Sequence, residues 1–373
     1  MKKIVILATY VGIVNRGAET FVIELVKKLK RHFLVEVYSL GVVDEIKDCI
    51  IEVDAPPPFW FKYHEYLYYK FFAYKILCDK LYSPIPTIIE QYYFTKKVYQ
   101  KFLKNRSDID LMFPNNGNHG AKLSALMRDK LNIPFIYTGH GGIGQGEIKI
   151  LLEKPTLYIA LNGTHLEWAK SYHKDVVKVS NGVDTNKFKS QTHISPKRTK
   201  VVLCVAAFVQ LKRQKLLIDA VTKLDNVKLI LLGQGEMKEE LKSYGEGKLE
   251  GRFEIASVGY NEIYNYYDKC DLFSLPTKEE PFGIVYLEAL SMNKPIVAPD
   301  DASRREIIGE CGVFCDVEDA ECYSSAIKEA LSTDWGSAPR NRAVSYFDWE
   351  IIGSRYVDLI NELIDKNPRI NNL

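Results

Sequence analysis

Short apolar runs alternate along this chain with longer stretches in which apolar side chains recur every three or four positions. Runs at residues 4–8, 34–39, 110–114, 134–138, 157–160 and 176–179 predict buried strands, because both faces of each run are apolar. Between the first two, Phe21, Ile23, Leu25, Val26 and Leu29 give a helix over about 18–30 one buried face, and a second helix is predicted over about 121–131. A new series opens at 200–208 and continues at 227–232, 253–257, 272–275 and 295–298. Helices are predicted from about 237, over 262–269 and from near 283. Strands separated by helix-length segments predict parallel, doubly wound sheets, so the fold class is α/β with two such halves. The last segment, FDWEIIGSRYVDLINELI, reads as an amphipathic helix.

The rhythm breaks at about 55–106. There Trp60, Phe61, Tyr63, Tyr66, Tyr68, Tyr69, Phe71, Phe72 and Tyr74 are interleaved with Lys62, Lys70, Lys75 and Lys80. Such a mixture suits peripheral association with a membrane through 57–104, where rings sit at headgroup depth and lysines meet anionic lipid. It equally suits ordinary helices packed on a sheet, with Tyr and Lys tips reaching water. No stretch of about 20 apolar residues offers a transmembrane helix. A formal charge of +2 over 373 residues gives no reason to expect nucleic acid as a partner. Seven cysteines, odd in number and without paired metal spacing, predict reduced thiols and a cytoplasmic location, with the inner face of the plasma membrane as a further expectation. Lys2 and Lys3 followed by IVILATYVGIV imitate a signal peptide, but the run is strand-length and leads at once into polar Asn15 and Arg16.

Candidate chemistry concentrates in DLFSLPTKEEPFGIVYLEALSMNKPIVAPD, Asp271 to Asp300. Glu280 stands just before a predicted helix and Glu288 inside it, at most ~12 Å apart, roughly the span from sugar to ribose in a nucleotide-diphosphate sugar. Between them the N–H groups of Phe282, Gly283 and Ile284 form a helix N-terminus, where unpaired donors and the helix dipole favour a phosphate. Gly283 lets a ligand come close. Two carboxylates working on one glycosidic bond would sit about 5 to 10 Å apart, so this spacing fits two different donor hydroxyl groups better. The order Pro-Thr, then Glu-Pro-Phe-Gly-Ile-Val-Tyr-Leu-Glu-Ala-Leu, then Lys-Pro-Ile-Val resembles the donor-site signature of the family-4 retaining glycosyltransferases of GT-B fold, the glycosyl transferases group 1.

That resemblance implies two Rossmann-like domains facing a cleft: an acceptor-side domain at 1–180, a nucleotide-sugar domain at 181–345, and a C-terminal helix at 346–373 crossing back to the first. Asn181-Gly182-Val183-Asp184 with Phe188 is similar to the family's interdomain hinge motif, and 185–200 reads as linker. It further implies that Glu288 holds the ribose, Glu280 the transferred sugar and Lys212 the diphosphate, with catalysis assigned to Glu280, Lys212 and His140. Where the family places an arginine this chain has Ala207, and Arg213, next to Lys212, is the candidate replacement. Gly17 stands where the family's glycine-rich first loop nears the donor, although the family's second glycine is replaced by Arg16. The loop at Gly259 is expected to cradle the base through main-chain groups. His140, at the end of a predicted strand in GHGGIGQGE, is expected to orient a sugar, with Asn115, Asn116 and His119 as further acceptor contacts. Arg304, Arg305 and Glu306 read equally as groups approaching the donor or as surface charge.

The function implied is retaining, metal-independent transfer of a sugar from a nucleotide-diphosphate sugar, UDP or GDP type, to a glycan, lipid-linked or small-molecule acceptor. Cell-surface polysaccharide or glycoconjugate synthesis is the expected setting, with the donor as co-substrate and no separate cofactor or metal. A GT-B epimerase or phosphorylase and a nucleotide-sugar-binding pseudoenzyme are the alternatives. A nicotinamide oxidoreductase is disfavoured, because neither half shows the dinucleotide glycine spacing.

Overall fold

The computed structural model describes residues 1–14, 16–54, 85–115, 117–190, 199–259, 262–278 and 280–367. The chain divides into two compact units. The first gathers Met1–Leu161, His165–Val179 and the chain from Gly353 on; the second gathers Asn162–Thr164 and Ser180–Ile352.

In the first unit the strands are β1 (Lys3–Leu7), β2 (Leu34–Ser39), β3 (Ile50–Glu52), β4 (Leu111–Pro114), β5 (Ile136–Thr138), β6 (Leu157–Ala160) and β7 (Val176–Lys178). They pair in parallel as β3-β2-β1-β4 and β5-β6-β7, and a single parallel bridge from Met112 to Phe135 joins the two sets. The helices are α1 (Gly17–Leu29), α2 (Ile85–Val98), α3 (Asn118–Leu131), α4 (Gln145–Leu151) and α5 (Gly163–Lys170). The strands are apolar on both faces because helices cover both: Ile4, Val5 and Met112 are fully buried, as are Phe21, Val26 and Leu29 of α1. Most of the aromatic and basic insertion, residues 55–84, lies outside the described residues, as do Asn116 and the linker residues 191–198.

The second unit has one parallel sheet in the order β10-β9-β8-β11-β12-β13. Its strands are β8 (Lys200–Val205), β9 (Val227–Leu232), β10 (Phe253–Ala256), β11 (Leu272–Ser274), β12 (Ile296–Pro299) and β13 (Gly312–Cys315). The order reverses between β8 and β9 on one side and β11 on the other, which opens a crevice at the carboxyl ends of β8 and β11. The helices are α6 (Gln214–Thr222), α7 (Lys238–Leu249), α8 (Tyr264–Lys269), α9 (Ile284–Ser291), α10 (Ala302–Ile308), α11 (Ala320–Ser332), α12 (Ala338–Tyr346) and the start of α13 (Trp349–Lys366). The predicted hinge sequence packs tightly here: Val183 bridges Asp348, and a Cβ on Gly182 would lie 2.6 Å from the Trp349 indole.

Residues of α13 from Gly353 on belong to the first unit. A Cβ on Gly353 would meet the Lys28 stem at 2.6 Å, and the Tyr356 ring stacks on Phe113 with its hydroxyl 3.1 Å from Thr138 Oγ1. Among the described residues no helix is long and apolar enough to cross a membrane. Cys49, Cys204, Cys270, Cys311, Cys315 and Cys322 are free thiols.

Candidate active site

In the second unit β8 and β11 are hydrogen-bonded neighbours, so the loops at their carboxyl ends lie side by side. The first loop closes in a 3-10 turn, Gln210–Lys212, and Arg213 in the left-handed region (φ 51°) separates it from α6. The second loop carries Glu280. Lys212 Nζ donates to Glu280 Oε2 at 2.5 Å, and both side chains are mostly buried. Two residues assigned different roles in the sequence thus form one ion pair, each fixing the rotamer of the other.

Gly283 caps α9 in the left-handed region, φ 79°. A Cβ there would lie 2.7 Å from the Tyr286 ring and 3.1 Å from Glu280 Cγ, so the tight entry into α9 beside Glu280 needs glycine on steric and conformational grounds. Phe282 is buried edge-on against Phe347, and Ile284 is the first residue of the helix. The first N–H groups of a helix have no partner inside it, so the start of α9 leaves such donors close to Glu280 and, through it, to its partner Lys212. One turn further, Glu288 is buried and accepts a 2.8 Å hydrogen bond from the Tyr267 hydroxyl of α8. Burial pushes its carboxyl up to about 7; the Tyr267 hydrogen bond and the charge of Lys187 pull the other way.

Arg304 is buried, not a surface charge. Its guanidinium donates to the Thr277 carbonyl at 2.6 Å and to the Tyr286 hydroxyl at 3.3 Å and pairs with Asp301, bracing the loop that leads to Glu280. Arg305 is exposed and paired with Asp300. Arg213 donates Nε to the Pro276 carbonyl at 2.9 Å and Nη1 to Glu318 at 2.7 Å, while Ala207 is exposed and its carbonyl accepts from Gln214. Gly259 follows β10, is exposed, and donates its N–H to Glu262 at 3.2 Å.

Gly17 and His140 belong to the first unit. Gly17 is the first residue of α1, whose buried Glu19 takes a two-pronged hydrogen bond from Arg16 at 2.7 and 3.1 Å. The His140 ring lies edge-on to Phe21 of the same helix with centroids 4.5 Å apart, so the structure brings the two predicted elements together. Burial, and after it the nearness of His165, holds His140 down to about 3, so the imidazole is neutral. Its Nε2 is shielded from water without a hydrogen-bond partner. Asn115 is buried behind β4 and donates to the Ala18 carbonyl, and the His119 ring lies against Tyr92.

Sequence reasoning passed over Tyr267 and Glu147. For Tyr267 the signal was its helical spacing with Ile263 and Cys270, which puts the ring on the buried face of α8. For Glu147 there was little signal, because it sits among glycines that read as loop.

Solved structures share this fold. The sucrose-phosphate synthase of Thermosynechococcus elongatus superposes with a TM-score of 0.74 at 17% identity, covering 98% of this chain and all of that one. The Anabaena protein HepE, crystallised with UDP and glucose, gives 0.73 at 17% identity over 97% of this chain and all of its own. The architecture is that of a GT-B glycosyltransferase. In sequence, the profile of the glycosyl transferases group 1 matches residues 185–346, the stretch that carries Lys212, Glu280 and Glu288. The phosphatidyl-myo-inositol mannosyltransferase of Mycobacterium tuberculosis is 25% identical over 303 residues, 74% of this chain and 79% of that protein. Residues 185–346 thus carry the sequence pattern of the group 1 glycosyltransferases.

Proposed function

We propose that the protein is a retaining, metal-independent hexosyltransferase that moves a sugar from a UDP- or GDP-linked donor to a glycan or lipid-linked acceptor on the cytoplasmic side of a membrane. The observation that carries this reading is the Lys212–Glu280 pair beside the Gly283-capped start of α9. In this assignment Glu288 accepts hydrogen bonds from the ribose diol, and the N–H groups at Phe282, Gly283 and Ile284 with Lys212 receive the diphosphate. Glu280 holds hydroxyls of the sugar, and the main chain at Gly259 faces the base. His140 and the start of α1 at Gly17 are assigned to the transfer as well. Arg213 joins the diphosphate only by leaving Glu318.

The bond between the anomeric carbon and the diphosphate oxygen breaks with charge building on the leaving group, where a fixed cation and helix N–H groups lower the barrier most. The acceptor oxygen bonds to the anomeric carbon from the side the diphosphate leaves, and the departing phosphate oxygen takes its proton, which keeps the configuration. Names among the relatives support the substrate classes: one is a mannosyltransferase acting on phosphatidyl-myo-inositol, and HepE was crystallised with UDP and glucose.

A thermal-shift screen of UDP- and GDP-sugars followed by mass spectrometry of products tests the reading. A matching donor at 100 times its Kd stabilises the fold by about 2.7 kcal/mol, and a mass increase of one hexose on an acceptor completes the case. Uncharged Ala207 and the engagement of Arg213 favour, as second reading, a binding protein without transferase activity; donor binding with no product from any acceptor would select it. Membrane association has its own test. On α2, Ile89, Tyr92 and Tyr93 are exposed and Lys96 lies 5.7 Å from the Tyr92 ring centre, an arrangement suited to an anionic interface. Co-sedimentation with vesicles containing phosphatidylglycerol is expected, weakened by high salt; equal recovery with neutral vesicles would remove the electrostatic part of the claim.

A further inference from the structure

Behind His140 lies a buried polar chain that the transfer chemistry leaves unused. The Leu161 N–H donates to His165 Nδ1 at 3.3 Å, so the ring proton is on Nε2, which faces the Tyr158 hydroxyl at 3.0 Å. Tyr158 therefore accepts from His165 and gives its own proton to Glu147 Oε2 at 2.8 Å. The other carboxylate oxygen, Oε1, accepts the Gly141 N–H at 2.8 Å. Every donor in this chain points one way, and it ends on a carboxylate that grips the backbone beside His140. The glycines on either side make the grip possible: a Cβ on Gly139 would fall 2.0 Å from the Tyr158 hydroxyl, and one on Gly141 would fall 2.6 Å from Glu147 Oε1. The loop thus rests directly on the polar chain with no side chain between.

We propose that Glu147 is a positioning residue for sugar transfer: through Gly141 it locks the Gly139–Gly142 loop onto Tyr158 and so presents His140 in one orientation. This deepens the reading of His140 as a sugar-orienting residue and rests on it. Glutamine at position 147 is nearly isosteric but turns one acceptor into a donor. Its amide must then face either the Gly141 N–H or the Tyr158 O–H, and Tyr158 cannot reverse because His165 Nε2 already carries a proton. A misplacement of about 1 Å at a reacting group lowers turnover on the order of 100-fold. Burial pushes Glu147 up to about 7 against the hydrogen bonds from Tyr158 and Gly141. The titratable groups that face it are Tyr158 on β6, Tyr137 on β5 and His165 on α5; burial raises the two tyrosines and lowers His165 to about 4, so none of them titrates near neutrality.

The test uses the full chain with 15N-labelled histidine. In the wild type the His140 ring resonance and kcat should both change with pH along one curve centred near 7. In Glu147→Gln the resonance should move and lose that titration, with kcat down about 10- to 100-fold and nucleotide Kd unchanged. Tyr158→Phe, which keeps the ring packed against Tyr137, should give a smaller shift in the same direction and serves if Glu147→Gln folds poorly. His140→Ala separates the two claims. If it keeps full turnover, the sugar-orienting reading fails and the resonance alone decides whether Glu147 holds the loop. If His140→Ala lowers turnover while Glu147→Gln leaves resonance and kcat untouched, or lowers kcat equally in the His140→Ala background, the positioning role is overturned.

Discussion

Lys212→Ala is expected to lower kcat/KM on the order of 10²- to 10³-fold, equivalent to about 2.7–4 kcal/mol of lost transition-state stabilisation. The size follows from where the cation stands. Lys212 is fixed by the 3-10 turn after β8 and by Glu280, 2.5 Å away, at the start of a helix whose N–H groups cannot supply a full charge by themselves. Ground-state binding suffers as well, because the diphosphate carries its charge before any bond breaks, so the nucleotide Kd measured by calorimetry should rise with the loss of turnover. Glu280→Gln separates the two effects: the sugar loses its oriented acceptor and kcat falls, while the nucleotide, held through Glu288 and the helix start, binds nearly as before. Because each residue holds the other's rotamer, the two substitutions should be non-additive. A Lys212→Ala protein with unchanged kcat/KM would place the diphosphate elsewhere.

The parallel α/β architecture and most element positions were legible because parallel strands buried on both faces leave continuous apolar runs, as at residues 4–8 and 157–160. The helix Gln145–Leu151 was not, because it follows Gly139, Gly141, Gly142 and Gly144, residues whose local preference is loop. It forms because Ile150 and Leu151 bury and Glu147 is tied back to Gly141, both tertiary effects. At the site, the spacing of Glu280, Gly283 and Glu288 was readable because one loop-and-helix unit sets it. The partners were not, because Tyr267 reaches Glu288 from another helix and Lys212 reaches Glu280 from another strand, contacts that no local pattern encodes. The buried bracing role of Arg304 was hidden for the same reason: its acceptors, the Thr277 carbonyl and the Tyr286 hydroxyl, become neighbours only in the folded sheet.

Donor binding should be coupled to proton release by Glu288. Burial holds this carboxyl up to about 7, so near neutrality a large part of the free protein carries a proton there. A ribose diol brings two hydroxyl donors, which favour the ionised carboxylate, so binding draws the pKa down and expels the proton. The sign follows: affinity rises as pH increases through about 7 and levels off above it, with Kd about tenfold weaker at pH 6 than at pH 8 if one proton is involved. Calorimetry in buffers of different ionisation enthalpy should show release of up to one proton near pH 6.5. Glu288→Gln should bind more weakly and with a flat pH profile. Stability of the free fold runs the opposite way. A carboxyl whose folded pKa is raised leaves the fold most stable below its unfolded pKa and destabilises it as pH climbs from about 4.5 to 7, by at most about 3 kcal/mol. Glu147, also near 7, adds a second contribution of the same sign, so Glu288→Gln should remove only part of the decline in Tm between pH 5 and pH 8. A Kd independent of pH in the wild type, and unchanged in Glu288→Gln, would mean that the ribose is held by some other group.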